Sequence, residues 1–274
     1  MSDRMTKKTT TEAPPETEPK KVEETPFEAI ASICSVLVVG LFILTFLGQN
    51  FVIPSGSMEN TLLVGDHLLV DRITLAPPAS WMPLERYREP HRGDIVVFIK
   101  PVPDEVNGEP QYLYLVKRLV AVPGDRLHLH NGLVYVNGKP EPLASTALES
   151  PAVTPNEQIY LDEFPSVPPA ENPGATPEWA VESSKYIQNG ELVVPPGRYF
   201  MMGDHRHDSL DSRYWGFVPR ENIVGRPLFN YWSFKTPDNQ YDRTDIGSKV
   251  AWLGHVVVHF FTDTRWKRTL KMMR

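Results

Sequence analysis

The sequence predicts a mainly β protein: an antiparallel β fold with an inserted subdomain, behind one N-terminal transmembrane helix. Three observations carry this. From Phe51 onward, short apolar runs rich in Val, Ile, Leu and aromatics recur between Gly, Pro, Asn and Asp, as strands bounded by turns do. Proline fills 27 of 274 positions without a Gly-X-Y period. That excludes collagen and disfavours a helical bundle, because an interior proline costs a helix about 3 kcal/mol. One stretch, Ala29 to Leu47, carries no charge and approaches the ~20 residues that span a bilayer.

Taken in order, residues 1–28 are rich in Thr, Glu, Lys and Pro and read as a disordered cytoplasmic tail. Residues 29–48 read as the anchor. A buried soluble helix is seldom apolar all round for this length. A cleaved leader would have an apolar region of about 7–15 residues before a small-x-small site, whereas this run ends at Gly48-Gln49-Asn50. Arg4, Lys7, Lys8, Lys20 and Lys21 precede it, and no Lys or Arg follows until Arg72. That bias places the N-terminus in the cytoplasm and the rest outside.

Residues 49–139 form the first part of an outer β domain, with strands expected in HLLVDRITL, DIVVFIKP, YLYLVKRLVAV, DRLHLH and LVYVNGK. Asn131-Gly132 and Asn137-Gly138 predict tight hairpin turns. A short helical turn is expected near Met58–Leu63. Residues 140–196, with frequent prolines, read as a surface insert or small subdomain. Residues 197–235 complete the domain, and 236–274 form a C-terminal extension. Within it, VAWLGHVVVHFF and the basic TDTRWKRTLKMMR fit either a segment lying on a membrane surface or an ordinary packed helix.

Composition narrows the function classes. Hydrophobic residues make up 41% of the chain, enough for a sizeable core, and the net charge of -6 argues against a nucleic-acid binder. A single cysteine, Cys34, excludes an internal disulfide framework and Cys-pair zinc sites. His128 and His130 share a strand face, and His205 and His207 have the same spacing. Two ligands do not make a zinc site, which takes three or four, so no metal is expected. No phosphate-binding loop or dinucleotide fingerprint is present, so no cofactor is expected either.

Three features carry chemistry. Pro54-Ser55-Gly56-Ser57-Met58 follows the anchor. Lys117 sits in the apolar YLVKRLVAV. A dense polar run extends from Gly203 to Gly216. Each alone also fits a bland reading: a polar turn, an edge lysine, a solvated loop.

Together, PSGSMENTLLVGDHLLVDR, RGDIVVFIKP, YLVKRLVAVPGD and GDHRHDSLDSRYWGFVP, in this order behind an anchor, resemble bacterial type I signal peptidase (leader peptidase), a Ser/Lys-dyad serine protease family. The resemblance covers about residues 30–235. It implies a signal-peptidase-like antiparallel β fold. It puts the nucleophile on Ser57 and the general base on Lys117. Ser55 and the Ser57 backbone N–H would form the oxyanion hole. Ser209 would orient the lysine, and Asp211 and Arg213 would brace the loop. Pocket candidates for small residues of an Ala-x-Ala site are Ile53, Met58, Leu62, Leu115 and Val116. At position 115 the family often has an aromatic; here it is leucine. The common loop GDNRDNS is here GDHRHDS, which puts His205 and His207 beside Ser209. The lysine separates this chain from endoplasmic-reticulum relatives, where a histidine is said to stand.

The physical logic agrees with these assignments. A serine hydroxyl needs a base, and a lysine, normally near pKa 10.4, becomes one only when burial disfavours its ammonium. Val116 and Leu119, with Met58 and Leu62, are expected to supply the dry wall. The expected function is removal of signal peptides from exported preproteins, with the bilayer as second partner, at the bacterial cytoplasmic (inner) membrane. Oligomeric state is left open. Another Ser/Lys protease, such as a self-cleaving repressor, would bring a DNA-binding module that is not seen. The remaining alternative is a catalytically silent anchored β domain that binds preproteins.

Overall fold

The computed structural model describes residues 25–42, 48–59, 61–75, 88–106, 108–141, 154–241 and 243–273. The predicted tail, except its last residues, lies outside these, as do residues 43–47 of the predicted anchor and part of the insert. The chain separates into two compact units, Met1–Leu41 and Phe42–Arg274. Helix α1 runs Pro26–Phe42, with Ile33, Val36 and Leu37 exposed. Among the described residues, no helix is long and apolar enough to cross a membrane.

The second unit is built on strands β1 (Gly48–Val52), β2 (Asp66–Asp71), β3 (Ile95–Ile99), β4 (Asp104–Val106), β5 (Glu109–Gln111), β6 (Tyr114–Ala121), β7 (Arg126–His130), β8 (Leu133–Val136) and β9 (Lys139–Pro140). The insert then supplies helix α2 (Pro155–Asp162), helix α3 (Pro177–Glu182) and strands β10 (Ile187–Gln188) and β11 (Glu191–Val193). After it come β12 (Arg198–Met202), α4 (Ser212–Trp215), β13 (Val218–Pro219), β14 (Ile223–Ser233), α5 (Ile246–Val258), α6 (Phe260–Asp263) and β15 (Lys271–Met272). The main sheet has the order β1-β2-β14-β3-β6-β12-β13, with β15 on β14. A smaller sheet runs β10-β11-β7-β8-β9, and β4 pairs with β5. Among the described residues, the strands pair antiparallel.

Both Asn-Gly hairpins form. Asn131, Gly132, Asn137 and Gly138 all have positive φ, the backbone a two-residue turn between twisted strands requires. β14, the longest strand among the described residues, is not among the runs read from the sequence. It contains Pro227, which ordinarily demotes a strand. The register against β2 shifts between Pro227 and Phe229, so a bulge absorbs the residue that cannot donate to the ladder.

The insert is also more helical than its prolines suggested. α2 and α3 both start on Thr-Pro. Thr154 and Thr176 cap them by accepting N–H bonds from Glu157 and Trp179, and Pro155 and Pro177 sit at the first helical position, where a missing N–H costs nothing.

Two cores flank the main sheet. Val96, Phe98, Leu119, Phe200 and Met202 belong to the larger, which also buries Tyr160 and Trp179 of the insert. Ile53, Met58, Leu62, Leu68, Val70, Ile95 and Val97 form the smaller. The C-terminal segment is tied to the sheet: β15 pairs with β14, and Arg268 donates to Asp66 Oδ2 at 2.6 Å and to the Thr61 carbonyl at 2.9 Å.

Candidate active site

Beyond β1 the chain turns through a short 3-10 segment, Gly56–Met58. Met58 is its apolar pin, buried in the smaller core, and its carbonyl accepts from the N–H groups of Thr61 and Leu62. This leaves Ser55 exposed and Ser57 half-buried, with their hydroxyl oxygens 3.5 Å apart. The Ser57 carbonyl accepts from the His205 N–H at 3.2 Å, which joins the serine turn to the polar loop.

Lys117 lies in the middle of β6, opposite Val96 of β3, and is 4% exposed. Strand alternation puts Leu115 and Leu119, rather than Val116, on its side of β6. Both pack with the larger core, and Val116 packs with the smaller. Of the expected wall, Leu119 therefore lies in the larger core with Leu115, whereas Val116, Met58 and Leu62 belong to the smaller. The Lys117 amine donates to Ser209 Oγ at 3.0 Å. Burial pulls its pKa down to about 8; Arg213 adds to the lowering, and Asp211, Asp208 and Asp204 oppose it. Among the described residues, no hydrogen bond runs directly from Lys117 Nζ to Ser57 Oγ.

Gly203 shows how closely the parts meet. A Cβ there would stand 2.3 Å from Ser209 Oγ and 2.4 Å from the Ser57 carbonyl. Only a residue without a side chain lets Ser209, the lysine's partner, lie beside the serine turn. The loop is held from inside by Asp211 and Arg213, both fully buried. Arg213 Nε and Nη2 donate to the two Asp211 oxygens at 2.9 Å each, a fork geometry that fixes orientation. Asp211 Oδ2 also accepts from the Gly203 N–H at 3.1 Å. Burial alone would raise the Asp211 carboxyl; the Arg213 charge and its hydrogen bonds outweigh that and hold it below the usual value. Arg213 Nη2 reaches back to the Arg206 carbonyl.

A second buried pair stands next to the first. Arg118 grips both oxygens of Asp204 at 2.6 Å, donates to the Gly93 carbonyl at 2.7 Å, and shares Asp204 with the Thr61 hydroxyl. Thr61 and Arg118 were not singled out in the sequence, although Arg118 is the lysine's neighbour. The insert braces the same loop: Trp179 Nε1 donates to the Arg213 carbonyl at 3.0 Å and the Tyr160 hydroxyl donates to it as well. His207 Nε2 lies 2.8 Å from Asp162 Oδ1 of α2. His205 is buried, with Glu59 and Asp208 carboxylates 3.7 and 3.8 Å from Nδ1. His128 and His130 each face a carboxylate, Glu191 and Glu163.

Of the pocket candidates, Ile53, Met58 and Leu62 share the smaller core, with half-buried Val116 and Phe51 against it. Leu115 packs against the other core.

A family model for signal peptidase, peptidase S26, matches residues 27–232. A signal peptidase I of Buchnera aphidicola is 30% identical over 78% of this chain and 77% of its own. One of Aquifex aeolicus is 33% identical over 76% and 85%, and one of Pseudomonas fluorescens 34% identical over 75% and 72%. With a family match across most of the sequence and such relatives along most of their length, the chain belongs to the signal peptidases of family S26, serine endopeptidases of the bacterial type I kind.

Proposed function

We propose that this peptidase removes signal peptides with Ser57 as nucleophile and Lys117 as general base, cutting after Ala-x-Ala-like sites. Neutral Lys117 takes the proton as Ser57 Oγ attacks the scissile carbonyl, and a C–O bond forms. The oxyanion is met by the Ser55 hydroxyl and the Ser57 N–H, donors of a kind worth about 2.7–4 kcal/mol each. The ammonium returns its proton to the leaving amine as the C–N bond breaks. Water, deprotonated by the same lysine, then releases the acyl group. Ser209 orients the amine, and Asp211 with Arg213 keeps Ser209 in place. Ile53, Met58, Leu62, Leu115 and Val116 are the candidates for contact with the small side chains before the cut.

The observation that supports this most is a buried lysine, depressed to about 8 and bonded to a serine beside the Ser57 turn. Catalytic hydrogen bonds in unliganded enzymes are often long and tighten with substrate, which accommodates the missing Ser57–Lys117 bond.

Anchoring through residues 29–48 in the bacterial cytoplasmic membrane, N-terminus inside and β domain outside, belongs to the same proposal. It is supported by the uncharged Ala29–Leu47 run and its flanking charge bias. Holding enzyme and membrane-bound substrate at one surface raises their effective concentration. The test is cleavage of a preprotein with an Ala-x-Ala site in detergent micelles. Ser57→Ala and Lys117→Ala are each expected to lose about 10³-fold or more with unchanged circular dichroism. A folded variant that cuts like the wild type would remove the assignment.

A further inference from the structure

The C-terminal helices bring together three side chains that the peptidase reading does not use. His255 stands in the last turn of α5, His259 closes that helix, and Asp263 ends α6. Their ligand atoms all lie within 4.8 Å of one another. The two imidazoles stack with centroids 4.2 Å apart, as i and i+4 residues on one helix face do.

His259 Nδ1 lies 3.1 Å from the His255 carbonyl oxygen. A carbonyl only accepts, so Nδ1 carries the hydrogen and, in the neutral ring, Nε2 holds the lone pair. A backbone carbonyl that sets the tautomer of a histidine in this way is the usual outer support of a metal-binding imidazole. His255 Nε2 lies 3.4 Å from Asp263 Oδ2, near the ~3–3.5 Å between neighbouring ligand atoms that bonds of 2.0–2.2 Å imply. Asp263 is held by its backbone: its N–H donates to the His259 carbonyl and its carbonyl accepts from Lys235 N–H, both at 2.9 Å. All three side chains are half-buried, so an ion has an approach and room for water.

We infer that His255, His259 and Asp263 form a binding site for a borderline divalent metal ion such as zinc. Two imidazole nitrogens and one carboxylate suit that class, whereas calcium and magnesium prefer oxygen alone. Three protein ligands leave one position for water. The ion fastens the end of α5 to α6. α6 in turn adjoins the β14 end, where Thr264 bridges Phe234. The site is independent of the Ser57–Lys117 assignment.

The test is calorimetric titration of zinc chloride into the full, tag-free chain in detergent, without chelators. One ion per chain is expected to bind, with affinity lowered by about tenfold or more in His259→Ala and in Asp263→Asn. His130→Ala should leave it unchanged. Should His259→Ala fail to fold by circular dichroism, His255→Gln takes its place. The visible absorption of bound cobalt gives a second readout, expected to vanish in the ligand variants alone. Zinc heats no larger than the detergent blank, or binding that the ligand variants leave intact, would overturn the inference.

Discussion

Lys117 titrates close to ordinary pH because its amine is buried on β6 with a single neutral partner, Ser209. The sign follows from its role as a base. The neutral amine is the working form, and below a pKa of about 8 the ammonium dominates. The kcat/KM for preprotein cleavage is therefore expected to rise about tenfold per pH unit up to a midpoint near 8 and level off above it. Asp208 favours the ammonium, so Asp208→Asn should move this limb to lower pH in the same pH profile. A limb that stays put would show that Asp208 does not act on Lys117. Gly203 tests position instead of charge. Gly203→Ala drives a methyl into Ser209 Oγ and the Ser57 carbonyl. Displacement of about 1 Å at a reacting group costs ~10²-fold, so kcat should fall by about that factor, read beside a melting curve showing that the fold persists.

At the scale of elements, the insert acts as a brace. α3 delivers Trp179, 4% exposed, to the carbonyl of the most buried arginine of the loop. Trp179→Ala is expected to cost about 3–5 kcal/mol in chemical denaturation, and cleavage should fall together with stability. Trp179→Phe, which keeps most of the volume, should lose about 1 kcal/mol. This role was not legible in the sequence. The Thr-Pro starts of α2 and α3 read locally as loop punctuation, and their partner, the Arg213 carbonyl, is a backbone atom with no sequence signal. The hairpins were legible because Asn-Gly fixes its own backbone geometry. β14 was not, because the bulge that excuses Pro227 exists only against β2. The four motifs marked Ser57, Lys117 and Ser209 because their chemistry depends on residue type. Thr61 and Gly93 escaped, because they serve through hydrogen bonds to Asp204 and Arg118, which stand far from them in the sequence.

Over the whole molecule, the C-terminal segment has two faces. One is fastened to the sheet: Arg265 donates to the Val64 and Phe234 carbonyls, and Arg268 to Asp66. The other is apolar and exposed, with Val250, Leu253 and Val257 at 64%, 63% and 70%, one stripe of α5 at helical spacing. Lys267 and Lys271, later in the same segment, are exposed as well, so the segment carries the apolar and basic side chains with which an interfacial segment meets anionic lipid. Deleting the segment would disturb the sheet, so point changes are the suitable probe. In a chain beginning at Gly48, Leu253→Ser with Val257→Ser is expected to reduce cosedimentation with anionic vesicles several-fold and leave circular dichroism unaltered. Equal sedimentation would rule this stripe out as a lipid contact.

Arg268 has one more consequence. Its bond to the Thr61 carbonyl spans 207 residues, and Thr61 supports Asp204, which holds Arg118 next to the lysine. During translation at about 5–20 residues per second, roughly 10–40 s separate the emergence of the serine turn from that of the arginine that steadies it. Lys117 and Ser209 are themselves made within that interval, and Arg268 follows Ser209 by a further 59 residues. The tie from the C-terminal segment is thus the last of these contacts to form, and a chain ending before Arg268 would carry Ser57, Lys117 and Ser209 without it.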